Sequence, residues 1–208
     1  MAVEISYADF TIIAVMIIFG FEGYRGGLFN GILSIGGLHF SLFVAVILLP
    51  LAANFFNFVI ELPANISVVM GFVTIFVACL LLYAFVAEWL RKIIKMEVVD
   101  WFNRLTGTLI GLYKGLITAS LLALGFSLLP PAAVVQSTEN NSTFMRPVKY
   151  VAPFTYNIFR KLYANTPSFE DTLKNAYARM EKEPDEMAQV LIDEFHNRYL
   201  RKNVDKKQ

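Results

Sequence analysis

The stretches without a charged side chain decide what this chain can fold into. Gly26–Ile60 and Leu62–Ala87 hold no Asp, Glu, Lys or Arg, Phe10–Phe21 holds none, and Leu105–Leu129 holds one, Lys114. A helix needs about 20 mostly apolar residues to cross the ~30 Å hydrocarbon core of a bilayer. Four such helices are predicted: Tyr7–Tyr24, Leu28–Leu51 ended by Pro50, Ile66–Phe85 preceded by Pro63, and Leu105–Leu129 stopped by Pro130-Pro131. Helices that are apolar all round have no polar face to turn to water. Strands are excluded by the pattern: Ile75–Val86 does not alternate apolar with polar, as membrane strands do.

Charge placement divides the chain. Residues 1–130 carry 13 of its 35 formal charges, although 56% of the whole chain is hydrophobic and only 17% charged. Soluble domains carry about 25% charged residues. Mean hydropathy is +0.54. The expected fold class is all-α: an integral-membrane four-helix bundle over 1–130, with a polar, amphipathic-helical, extramembrane tail over 131–208. A common soluble enzyme, a disulfide scaffold and a disordered chain are excluded. The single cysteine, Cys79, lies in an apolar run and reads as a packed small residue. The N-terminus is acidic rather than basic and lacks an Ala-x-Ala cleavage site, so the first segment reads as a retained anchor.

Basic residues in short loops set orientation. Arg91, Lys92, Lys95 and Arg104 lie between segments three and four, and Arg25 lies between one and two. Between two and three there is only Glu61. Links 1–2 and 3–4 are therefore expected in the cytoplasm, with the N-terminus, link 2–3 and the tail outside. Tyr24, Tyr83, Trp89 and Trp101 fall near the expected span ends.

Small residues recur every fourth position in segment four: Gly107, Gly111, Gly115 and Ala119. A similar series, Gly20, Gly23, Gly27 and Gly31, crosses the first junction. Close backbone approach through such residues holds helices together in lipid. The stripes fit packing inside the bundle or a dimer face. Arg25-Gly26-Gly27 reads as the turn that interrupts the second series.

Four charged residues are candidates for function: Lys114, Arg25, Asp9 and Arg104. Lys114 sits ten positions into its span, where a lysine costs about 2.5–3.5 kcal/mol on insertion scales. It either snorkels to the headgroups or faces the interior to pair with an acid or bind an anion, with Glu22 and Glu88 as plausible partners. Arg25 has the same two readings, and Asp9 marks a span end. His39 and His196 have no metal-ligand spacing, and His39 reads as packed or helix-bonded. There is no phosphate-binding Gly-Lys-Ser/Thr loop and no Gly-x-Ser-x-Gly elbow. No cofactor, metal, enzymatic activity or nucleic-acid partner is expected. The expected partners are the lipid bilayer and a second copy or another membrane protein.

In the tail, Gln136–Thr143 reads as a loop, and Asn140–Thr143 contains a glycosylation sequon. Pro153–Tyr163 places Phe154, Ile158 and Leu162 four apart, to lie on the membrane surface or against the bundle. Ser168 is a predicted cap for a helix with Phe169, Leu173, Ala176, Tyr177 and Met180 on one face. A last helix from Pro184 places Met187, Val190, Leu191, Glu194, Phe195 and Tyr199 along a side. The two helices need each other, the membrane or a partner.

Three features together resemble the colicin V production protein family of small bacterial inner-membrane proteins. They are Asp9 before an apolar span, Arg25-Gly26 closing it, and Asn103-Arg104-x-x-Gly107-x-x-x-Gly111-x-x-Lys114-Gly115 opening segment four. The stretch Phe144–Phe154 is similar in style, so the resemblance covers about residues 5–160. The chain departs from the family pattern at Asn30, where an acid is frequent, at Lys114, where arginine is usual, and at Asn103, where aspartate is common. Lysine keeps the charge but lacks the planar fork of arginine. The resemblance implies a role in toxin production or export, or in envelope homeostasis. A small channel or transporter with a polar path near Lys114 and Arg25 is the alternative.

Overall fold

The computed structural model describes residues 6–93, 100–129, 132–163, 166–184 and 186–204. Among them there are eight α-helices and no strand: α1 (Tyr7–Val59), α2 (Ala64–Ile93), α3 (Asp100–Leu128), α4 (Ala132–Asn141), α5 (Met145–Lys149), α6 (Val151–Phe159), α7 (Phe169–Arg179) and α8 (Glu186–Val204). A 3-10 turn, Arg160–Leu162, follows α6. Three helices, α1, α2 and α3, are long and apolar enough to cross a membrane.

The first two expected segments form one helical run of 53 residues. Straight, it would extend about 80 Å at 1.5 Å per residue. It is broken at Gly27, whose backbone (φ 72°, ψ −175°) is not helical. Side chains other than glycine rarely adopt that φ. On either side of the break the chain runs along α3 in opposite directions. Residues 7–26 meet α3 antiparallel: Gly23 lies against Gly107, Phe19 against Gly111, and Met16 against Gly115. Residues 28–59 meet it parallel: Gly31 lies against Ile110, and His39 reaches Tyr113. The chain doubles back at Gly27, and α3 packs along both limbs.

Helix α2 runs antiparallel to the second limb, with Gly71 beside Ala52 and Ala53 and Gly37 beside Tyr83. It makes few contacts with α3. Most of α2 therefore turns outward; Leu81, Leu82 and Phe85 are exposed, as suits a helix facing acyl chains.

Several expected boundaries shift. Pro50 does not end the second segment, because the helix continues to Val59. A proline removes one ladder hydrogen bond, but Leu49 and Ala53 on either side are fully packed and hold the helix together. The expected loop Gln136–Thr143 is helical through Asn141. Buried Val135 anchors it. The Ser137 and Thr138 hydroxyls donate back to the Val134 carbonyl rather than opening the turn.

The tail forms one continuous hydrophobic core with the long helices. Leu42, Leu49 and Val68 belong to the same buried cluster as Tyr156, Leu173, Ile192 and Phe195. The cap at Ser168 forms as expected, as a capping box with Asp171. The predicted face of α7 is buried, and the Tyr177 hydroxyl donates to Asn65 Oδ1 at 2.6 Å. On α8, Leu191 and Phe195 of the expected side face in, joined by Ala188 and Ile192, while Val190 faces out; the side chains of Met187 and Tyr199 lie outside those described. Helix α6 turns Ala152, Pro153 and Tyr156 inward, and its fourfold series Phe154, Ile158 and Leu162 outward. It lies beside the second limb, with Phe159 4.6 Å from His39 and Tyr163 5.1 Å from Phe43.

Candidate functional site

At the end of the bundle where the chain reverses, α3 supplies the pieces that hold the reversal. Asn103 Oδ1 accepts the backbone N–H of Leu28 at 2.7 Å, capping the second limb just after Gly27. The first N–H groups of a helix have no partner within it, so a side-chain acceptor is needed there. One turn along α3, Gly107 packs against Gly23 and Gly27, and a Cβ on it would collide with the Gly23 carbonyl oxygen. Gly111 is equally tight against the Phe19 carbonyl. The glycine stripe is therefore occupied inside the chain. Gly26 takes a different role: its carbonyl accepts Asn30 Nδ2 at 2.8 Å.

This close approach brings Lys114 onto the first limb. Its Nζ donates to both carboxylate oxygens of Glu22, at 2.9 and 3.1 Å, and lies 4.8 Å from the centre of the Phe19 ring. Of the two acids named from sequence, Glu22 is the partner; Glu88 pairs with Lys92 one turn along its own helix, at 3.7 Å. The pair borders a cavity of about 180 Å³ lined by Phe19, Glu22, Gly23, Gly26, Asn30, Gly31, Ser34, Arg91, Gly111 and Lys114. Both limbs of α1, together with α2 and α3, contribute. Toward the other end, Leu38, Leu42, Val46 and Ile117 pack as fully buried apolar side chains.

Arg25 and Arg104 stand elsewhere. The guanidinium of Arg25 lies 5.7 Å from the Phe21 ring centre and is not among the cavity residues. Arg104 donates to the Tyr24 hydroxyl at 3.1 Å and lies over that ring. Of the four charged candidates, only Lys114 lines the cavity.

Asp9 is a fastening at the opposite end. It is 1% exposed. Its carboxylate accepts the Ser142 hydroxyl at 2.5 Å and the backbone N–H groups of Thr143 and Phe144 at 3.2 and 2.9 Å. It also completes a capping box with Ser6. The first limb and the segment entering α5 are thus tied by one side chain. Nearby, Lys149 is 3% exposed and is held by Glu139 at 2.8 Å and Glu194 at 3.0 Å, which joins α4, α5 and α8.

His39 is packed and helix-bonded, as read from sequence. A carbonyl only accepts, so Nδ1 donates to Ile35 O at 2.8 Å, leaving Nε2 to accept the Tyr113 hydroxyl at 3.1 Å. Among the described residues, no group of His, Cys, Asp and Glu is placed to hold a metal ion.

Arg91, Ser142 and Lys149 carry structural or site roles that the sequence reading did not assign. Arg91 was read only as a loop charge setting orientation, and nothing local shows that α2 carries it to the cavity. Ser142 gives no signal until Asp9 is known to be buried.

An all-helical chain with three membrane-crossing-capable helices, closed by glycine packing around a charged pair, defines a class of small membrane protein. The chain belongs to the colicin V production protein family, whose model matches residues 8–153. The match ends within α6, so α7 and α8 lie beyond it. No curated protein and no solved structure matches the chain.

Proposed function

We propose that this protein is a non-enzymatic accessory protein of the bacterial inner membrane, acting in toxin production or export or in envelope homeostasis through contacts with lipids or membrane partners. The observation that carries this reading is the interior of the bundle within a member of this family. The charged cavity is bordered by Lys114 and Glu22, but beyond it lie the buried apolar side chains Leu38, Leu42, Val46 and Ile117. These four side chains offer no polar group to continue a water path from the cavity.

In this reading the chain crosses the bilayer four times, with the two limbs of α1 counted separately. Residues 7–26 extend about 30 Å at 1.5 Å per residue, enough for one crossing. The Gly27 and Asn103 end faces the cytoplasm, in keeping with Arg25, Arg91, Lys92, Lys95 and Arg104. The N-terminus and α4, joined through Asp9 and Ser142, lie on the outer side.

The cavity itself favours a second reading, a small channel or transporter in which Glu22, Arg91 and Lys114 form part of a polar path. Purified protein in liposomes separates the two. The accessory reading expects no ion or small-solute flux above protein-free vesicles, with membrane partners captured by site-specific crosslinking from the outward faces of α2 and α6. Flux that Lys114→Met abolishes and Lys114→Arg retains would overturn it in favour of transport.

A further inference from the structure

We infer that the cavity at the Gly27 end of the bundle binds a phosphodiester oxyanion, the headgroup phosphate of an anionic phospholipid. Its lining residues carry two cations, Lys114 and Arg91, and one carboxylate, Glu22. Glu22 is already committed, since both its oxygens accept from Lys114. Arg91 has no ion-pair partner among the described residues. Among the described residues the lining therefore carries one net positive charge, with Lys114 mostly buried and Arg91 exposed at the rim.

The chemistry of the free donors narrows the ligand. Arg91 offers a planar fork of N–H groups that matches two oxygens of a phosphate. Lys114 has three donors and spends two on Glu22, so one is left. The Asn30 amide gives one hydrogen to Gly26 O and keeps the other. These groups come from α2, α3 and the second limb, and they surround a space of about 180 Å³. A water takes about 30 Å³ in the liquid, so a tetrahedral phosphate group fits. A phosphodiester carries a single negative charge, which brings the site to neutrality, whereas a phosphate dianion overshoots by one. Basic pockets between membrane helices are known as headgroup sites. This inference does not depend on the accessory role, because a transporter could hold the same lipid.

Thermal unfolding of the full-length protein in neutral detergent tests it, with short-chain phosphatidylglycerol, short-chain phosphatidylcholine or inorganic phosphate added. Phosphatidylglycerol is expected to raise the unfolding temperature saturably, and phosphatidylcholine is not. Arg91→Gln weakens that binding about tenfold, the loss of one charge-assisted contact, and Arg91→Lys weakens it less. Glu22→Gln frees Lys114 and strengthens binding severalfold. Lys92→Gln, whose side chain pairs with Glu88 outside the cavity, leaves it unchanged. Stabilisation by inorganic phosphate equal to that by the lipid would keep the anion site and overturn the lipid as its source. Lipid stabilisation that neither Arg91→Gln nor Glu22→Gln alters, or no stabilisation by either ligand, would overturn the site.

Discussion

Lys114 and Glu22 show what a charge inside an apolar bundle requires. Lysine alone at this depth costs about 2.5–3.5 kcal/mol against an apolar residue, and the carboxylate of the first limb offsets part of that. Lys114 is mostly buried and Glu22 more than half exposed, so losing the carboxylate, which strands the ammonium, should cost more than losing both. Glu22→Gln and Lys114→Met each lower the unfolding temperature in detergent, and the double variant recovers toward the parent. A double variant as unstable as the sum of the singles would show that the pair does not interact. Gly111 is governed by contact rather than charge. Any side chain there meets the Phe19 carbonyl, so Gly111→Leu forces α3 off the first limb. The expected outcome is loss of accumulated, monodisperse protein by fluorescence-detected size exclusion; normal accumulation would refute the packing. Both positions stood out in the sequence, because a lone lysine and a four-residue glycine spacing are local signals. Glu22 could only be named beside Glu88, since pairing across 92 residues depends on how the limbs fold back.

Among the elements, the reversal in α1 matters most. The sequence shows two apolar stretches and a Gly-Gly between them, which was enough to place a turn near residues 25–27. That the turn needs only one non-helical residue, with Asn103 of α3 capping the helix after it, depends on tertiary contact and has no local pattern. Gly27→Ala is strained by its φ and collides with the Asn103 side chain. It should destabilise by more than the ~1–2 kcal/mol of the backbone term alone, read as a lowered midpoint in thermal unfolding. Asn103→Asp, which keeps the acceptor, should stay near the parent, whereas Asn103→Ala should not. The α4 segment differs from expectation for a related reason: Gln136–Thr143 is polar enough to be a loop, and the burial of Val135, beside residues of α3 and α8, has no local pattern. Conversely, the Ser168 cap and the buried face of α7 were legible, because capping and helical spacing are written within a few residues of each other.

For the whole molecule, the two buried hydrophobic clusters both cross the point at residue 130 where composition changes from greasy to polar. Charge density separates the two parts in sequence, but apolar faces join them in space. Isolated residues 131–208 leave α5, α6 and α7 without their bundle contacts and should show no cooperative thermal transition by circular dichroism. The full chain should show one; a cooperative melt of the isolated segment would contradict the shared core. The outward side of α6 adds a feature that periodicity alone left open, because its fourfold series faces away from the bundle while other side chains fill the interior.

The bond between Asp9 and Ser142 spans 133 positions of sequence. During synthesis the carboxylate leaves the ribosome long before its hydroxyl and amide donors exist. Until those arrive, the carboxylate has only the Ser6 N–H of its own capping box as a partner. A chain arrested before residue 142 lacks the contacts that tie the first limb to the segment entering α5, so that limb is expected to be more open to membrane proteases. Asp9→Asn, which lacks the charge that shortens these bonds, should then leave even full-length protein turning over faster in a pulse-chase experiment.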